Sequence, residues 1–140
     1  NGGVIHLNFY SGFLDSTYNR KQAAFIQKHQ ADFDSLKQLK WPEYEIAGWL
    51  GKKFPAEVDS LRPSMNILLD HLDHIVKLIG VDHVGLGSDF DGIESAPQDL
   101  DGVEDMPIIT SALIVRGYSN AAIKKILGGN FLRIFKTADK

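Results

Sequence analysis

Gly80-Val81-Asp82-His83-Val84-Gly85-Leu86-Gly87-Ser88-Asp89-Phe90-Asp91-Gly92 is the stretch that decides the fold class. Val81–Ser88 has the length and apolar character of a strand, and it runs directly into two aspartates in a glycine-flanked turn. Just upstream, Pro63-Ser64 opens the clearest helical pattern of the chain. Ile67, Leu68, Leu72, Ile75, Val76 and Ile79 form its apolar stripe, and Gly80 stops it. A helix handing over at once to a strand is βα alternation, which predicts a parallel sheet. Carboxylates at the carboxyl end of such a strand stand where α/β folds usually place their chemistry.

Working outward, Val4–Phe9 is a second segment of strand length. Residues 16–40 read as one surface helix with Phe25, Ile26, Phe33, Leu36 and Leu39 on a broad face, ended by Trp41-Pro42. Tyr44 to Lys53 reads as a short helix between Pro42 and Pro55. Beyond the aspartates, residues 89–105 form a loop with seven acidic side chains and no Lys or Arg. Helices are expected from Pro107 to Arg116, from Asn120 to Leu127 behind Ser119, and from Asn130 to Lys136 after the Gly128-Gly129 break.

Only two strands are convincing, and two parallel strands neither close a barrel nor make a stable open sheet. A large apolar side chain gains ~1.5–3 kcal/mol on burial, so Val4, Ile5, Leu7, Phe9, Val84 and Leu86 call for partner strands. Asn1-Gly2-Gly3 directly before a strand is the usual handover from a preceding helix. Both observations lead us to expect a fragment of a larger protein.

The chain has 140 residues, is 44% hydrophobic and 24% charged, and carries a net charge of −3. This is a globular balance, and the charge points to neither nucleic acid nor an anionic membrane. Cysteine is absent, which excludes disulfides and thiolate ligands within the chain but leaves the compartment open.

Taken alone, Asp89-Phe90-Asp91-Gly92 fits a hard-cation site, a substrate-binding or acid/base carboxylate, or ordinary turn chemistry. Gly85 and Gly87 favour function, because glycine weakens a strand unless something must approach its backbone closely. Gly85-Leu86-Gly87 lacks the third glycine and the following helix of a dinucleotide fingerprint. The aspartate spacing does not match a calcium-binding EF-hand, and no nucleophile elbow surrounds Ser88. His71 and His74 are three apart on the helix, a spacing that can bind metal, yet packing or capping is the stronger reading beside Leu68, Leu72 and Ile75. His83 reads as structural, and His6 is a weak candidate in mid-strand. Glu94 to Asp105 reads as a solvated loop, and Trp41, Trp49 and Phe54 as a small apolar cluster.

Three stretches together resemble the carboxyl-terminal part of the membrane (renal) dipeptidase family of zinc peptidases. Gly2 through Tyr10 resembles the family's seventh barrel strand. Asp70-His71-Leu72-Asp73-His74-Ile75 through Asp89-Phe90-Asp91-Gly92 resembles its helix and eighth strand. Arg116-Gly117 and Gly128-Gly129-Asn130-Phe131-Leu132-Arg133-Ile134-Phe135 resemble its closing helices. The resemblance implies that residues 1–140 are the last two βα units of a (β/α)₈ TIM-like barrel, with a helical insertion at about 16–62. It implies a binuclear zinc site whose His, Asp and Glu ligands lie on earlier strands, so no metal ligand is assigned to this chain. Two zinc ions would activate a hydroxide for attack on the scissile carbonyl. Asp89 would bind the free amino group of a dipeptide substrate and assist the leaving nitrogen, with Tyr10 or Phe13 as the aromatic beside the substrate. A Tyr is expected at about Phe13 in the mammalian member of the family.

The implied partners are a dipeptide, the amino-terminal part of the barrel, and a second copy of the chain as a homodimer. The chain alone is expected to be inactive. Two alternatives stand beside the dipeptidase: a catalytically inactive relative acting as a binding module, and a magnesium-dependent phosphatase using Asp89 and Asp91. Phosphatases with an Asp-x-Asp-Gly strand end normally carry a Thr where this chain has Ile93.

Overall fold

A computed structural model describes residues 2–138. Strand β1 (Ile5–Asn8) pairs in parallel with β2 (Val84–Ser88), and among the described residues the sheet has these two strands. Between them run α1 (Ser11–Leu14), α2 (Tyr18–Lys28), α3 (Gln30–Gln38), α4 (Glu43–Lys53), α5 (Pro55–Leu61) and α6 (Met65–Ile79). After β2 come α7 (Met106–Val115), α8 (Asn120–Lys124), a wide turn at Lys125–Gly129, and α9 (Asn130–Ala138).

The expected α6 is present. The Ser64 hydroxyl accepts the Asn66 N–H at its start, and Gly80 ends it with φ +86°, a conformation glycine adopts without Cβ strain. Its Leu68, Leu69 and Leu72 are fully buried with Leu7 and Phe9 of the β1 segment, Val84 of β2, and Ile109 and Leu113 of α7. The side chains of one sheet face thus meet the apolar stripe of α6, and period-2 alternation leaves His6 and Asn8 on the opposite face.

Three expectations are corrected. The helix over 16–40 is two helices, broken at His29 with no glycine or proline there. The His29 ring stacks on Phe54 with centroids 3.8 Å apart and pairs with Glu57 at 3.3 Å, so a contact with the neighbouring α5 region sets the bend. The stretch Glu94 to Asp105 is not simply solvated, because Ala96, Pro97 and Leu100 are buried against the main core. Arg62, just before α6, holds this loop from below. It donates to the Ala96 carbonyl at 2.9 Å and the Pro97 carbonyl at 2.6 Å, and pairs with Asp59 and Asp101. Trp41 lies outside the second core, where Phe25, Ile46 and Leu50 pack with Trp49 and Phe54; it is 38% exposed.

Asp70 and Asp73, beside the paired histidines, tie α6 to the segment that ends α7. Arg116 at the end of α7 donates to both, and the Tyr118 hydroxyl donates to Asp73 at 2.7 Å. Burial, then the Asp73 carboxylate, pushes the Tyr118 hydroxyl far above its usual range. No described helix is long and apolar enough to cross a membrane.

Candidate active site

Asp89 follows the last residue of β2, and Tyr10 lies two residues beyond β1. Parallel strands point the same way, so both loops emerge at the carboxyl end of the sheet, as the sequence predicts. The join is made by a residue that sequence reasoning did not single out. Asn8 donates from Nδ2 to Asp89 Oδ2 at 2.9 Å and accepts the Tyr10 N–H on Oδ1 at 2.7 Å.

Register explains how Asn8 reaches. Ile5, His6 and Leu7 face Val84, Gly85 and Leu86 in step, but Asn8 faces Ser88, so Gly87 is the extra residue of a bulge. A bulge re-aims side chains at a strand end. Ser88 (φ +40°) and Asp89 (φ +75°) then adopt left-handed conformations in succession, each costing roughly 1–2 kcal/mol for a residue with a Cβ. The chain closes a turn with the Gly92 N–H on the Asp89 carbonyl at 2.9 Å. A Cβ at residue 92 would stand 2.3 Å from Asp89 Oδ1, so only glycine there leaves room for that carboxylate oxygen.

Gly85 and Gly87 have a structural cause. A Cβ at Gly85 would lie 3.2 Å from the His6 ring, and one at Gly87 3.1 Å from His6 Cβ and 3.2 Å from the Leu7 carbonyl. The group that approaches this backbone is β1 itself, with His6 Nδ1 donating to the Leu86 carbonyl at 3.2 Å.

Asp89 and Asp91 are both exposed. Asp91 sits inside the Asp89–Gly92 turn. Phe90 turns the other way, edge-on to Phe9 with centroids 5.6 Å apart. An open hollow is lined by Asp89, Asp91, Asp101 and Glu104. Tyr10 is half-buried, edge-on to Phe13 at 5.0 Å and to Tyr18 at 5.9 Å. Burial, and then the Glu94 charge, raise its hydroxyl above the usual tyrosine value. Phe13 is 72% exposed on α1. The acidic loop is tied to the start of α1 by Ser11, whose N–H donates to the Ser95 carbonyl and whose hydroxyl meets the Ser95 hydroxyl, both at 2.8 Å.

His71 donates Nε2–H to the Leu14 carbonyl at 3.1 Å, tying α6 to the end of α1, and His83 donates Nδ1–H to the Gly3 carbonyl at 2.8 Å. Among the described residues, no group of three or more His, Asp or Glu side chains is arranged to hold a metal ion. The residues present therefore do not by themselves fit a metal pair.

The whole chain, residues 1–140, matches the family described as membrane dipeptidase, peptidase family M19. It is 31% identical over 125 residues to an uncharacterized dipeptidase of Schizosaccharomyces pombe, covering 87% of this chain and 30% of that protein. It is 44% identical over 72 residues to the dipeptidase ataJ of Aspergillus terreus, covering 51% of this chain and 18% of that one. The probable dipeptidase PvdM from Pseudomonas aeruginosa superposes with a TM-score of 0.60 at 28% identity, over 94% of this chain and 36% of that chain. The chain thus spans about a fifth to a third of the length of these relatives.

Proposed function

The chain belongs to the membrane dipeptidase family, and from that premise we propose that it forms the carboxyl-terminal part of a (β/α)₈ barrel that hydrolyses dipeptides. The carrying observation is the Asp89 carboxylate, held by Asn8 at the shared carboxyl end of two parallel strands. That end is the catalytic face of such barrels.

In this reading residues 1–140 are one portion of a single domain, with the helices from about 16 to 62 inserted between its last two strands. The exposed Ile5 on β1 and Phe131, Leu132 and Phe135 on α9 support it, since apolar surface of this kind marks contact with further protein. The amino-terminal strands of the barrel would cover part of it, and a homodimer partner is a second candidate.

The chain's own share of the chemistry is substrate binding. Asp89 is an acceptor only while ionised. Asn8 occupies Oδ2, and Oδ1 faces the space beside Gly92, where it can take the ammonium group of a dipeptide and lie close to the leaving nitrogen. Tyr10 and Phe13 give an aromatic wall on the adjoining loop. The metal of the family, two zinc ions in our reading, would supply an activated hydroxide. Its ligands are assigned to the remainder of the barrel, because the described residues here do not form such a site.

Asp89→Ala in the complete protein should abolish most dipeptide hydrolysis while metal content stays at the wild-type level. Near-normal turnover in that variant would sink the assignment. The 140-residue chain alone should hydrolyse no dipeptide, and measurable hydrolysis by it would contradict the division of the site proposed here.

A further inference from the structure

We infer that Asn8 is the positioning residue for Asp89, selecting substrates with a free amino group by fixing which carboxylate oxygen is presented to them. The inference rests on the reading of Asp89 as the amine-binding group, and it adds a residue and a specificity role to that reading.

The carboxamide of Asn8 has a settled orientation. Its Oδ1 receives the Tyr10 N–H at 2.7 Å. Of the two ends of a carboxamide only the oxygen can accept an N–H, so the NH₂ end must face Asp89. A flip would set two donors against each other and leave Asp89 Oδ2 facing a carbonyl. One side chain therefore holds both strand-end loops: the β1 loop through a backbone N–H and the β2 loop through a carboxylate.

Asp89 needs that restraint. It is exposed, in a left-handed conformation, and follows a second left-handed residue. With Asn8 on Oδ2 and glycine beside Oδ1, the carboxylate presents a defined oxygen to a ligand. Without Asn8 it would sample its other rotamers, and binding would carry the entropy of ordering it again. The bulge at Gly87 gives a second reason to read Asn8 as placed for this contact, because an unshifted register would pair Asn8 with Gly87 and not with Ser88 next to Asp89.

The experiment compares Ala-Ala with propionyl-alanine, which has the same shape without the amine, in the complete metal-loaded protein. Asn8→Ala should raise KM for Ala-Ala about tenfold, the effect of losing one charge-assisted hydrogen bond. It should lower kcat/KM for propionyl-alanine much less than for Ala-Ala, with unchanged metal content. Asp89→Ala should erase the preference for the free amine, and the double variant should be no worse than Asp89→Ala, because the two residues act as a unit. Asn8→Val keeps a strand-compatible side chain with neither donor nor acceptor and should reproduce the Ala result if Asn8→Ala folds poorly. Equal losses on both substrates in Asn8→Ala and Asn8→Val would show a purely structural role and overturn the inference. A free-amine preference that survives in Asp89→Ala would instead overturn the reading of Asp89 itself.

Discussion

Replacing Arg62 with Met should destabilise the protein by about 3 kcal/mol and free the loop that lines the Asp89 hollow. The Arg62 side chain is 15% exposed and makes two hydrogen bonds to carbonyls of that loop. A hydrogen bond from a charged donor contributes about 1.5–3 kcal/mol. The lower end applies here, because the Pro97 carbonyl keeps the Leu100 N–H when Arg62 is lost. The pairs with Asp59 and Asp101 add little, since those carboxylates are 55% and 73% exposed. Met retains most of the buried stem, so packing loss is small. For a chain of this size, about 3 kcal/mol corresponds to roughly 10 °C in Tm. Urea unfolding followed by the fluorescence of Trp41 and Trp49 measures the change. Amide exchange should accelerate at Leu100 and Asp105 and remain slow in α6. A loss below about 1 kcal/mol, or unchanged exchange at Leu100, would refute the view that Arg62 holds this loop in place.

Gly85→Ala and Gly87→Ala should each destabilise by roughly 1–3 kcal/mol through overpacking, but only the Gly85 variant should be relieved by a second change, His6→Ala. At Gly85 the obstacle is the His6 ring; at Gly87 it is partly the Leu7 backbone, so equal rescue in thermal unfolding would contradict the assignment. Asp15 supplies a pH prediction. The Thr17 N–H, then the Thr17 hydroxyl and Lys21, hold its carboxyl at about 2, below the ordinary 3.8. Because the folded value is the lower one, its stabilisation is complete above about pH 5 and is lost as pH falls toward 2. The stability difference between wild type and Asp15→Asn should shrink over that range, and a constant difference would exclude the mechanism.

The sequence by itself determined the parts that rest on local pattern. The Ser64 start and Gly80 stop of α6 are short-range signals, and five of the six residues of its predicted apolar stripe do pack on the core; Ile79 at its end is exposed, and the buried Leu69 lies outside that stripe. The two strands and their parallel relation follow from βα alternation, and with them the position of Asp89 at a strand end. Family membership was legible in the same motifs. Tertiary structure decided what depends on residues far apart in the chain. The bend at His29 is made with Phe54 and Glu57, and the burial of Leu100 goes with the clamp from Arg62. The glycines of β2 were visible, but their cause was not, because the side chain that approaches them, His6, belongs to the other strand. Asn8 looked like an ordinary polar residue at the end of a strand. Its partner was set by a one-residue slip between strands about 80 positions apart, and register is a property of the pair that neither strand's pattern contains.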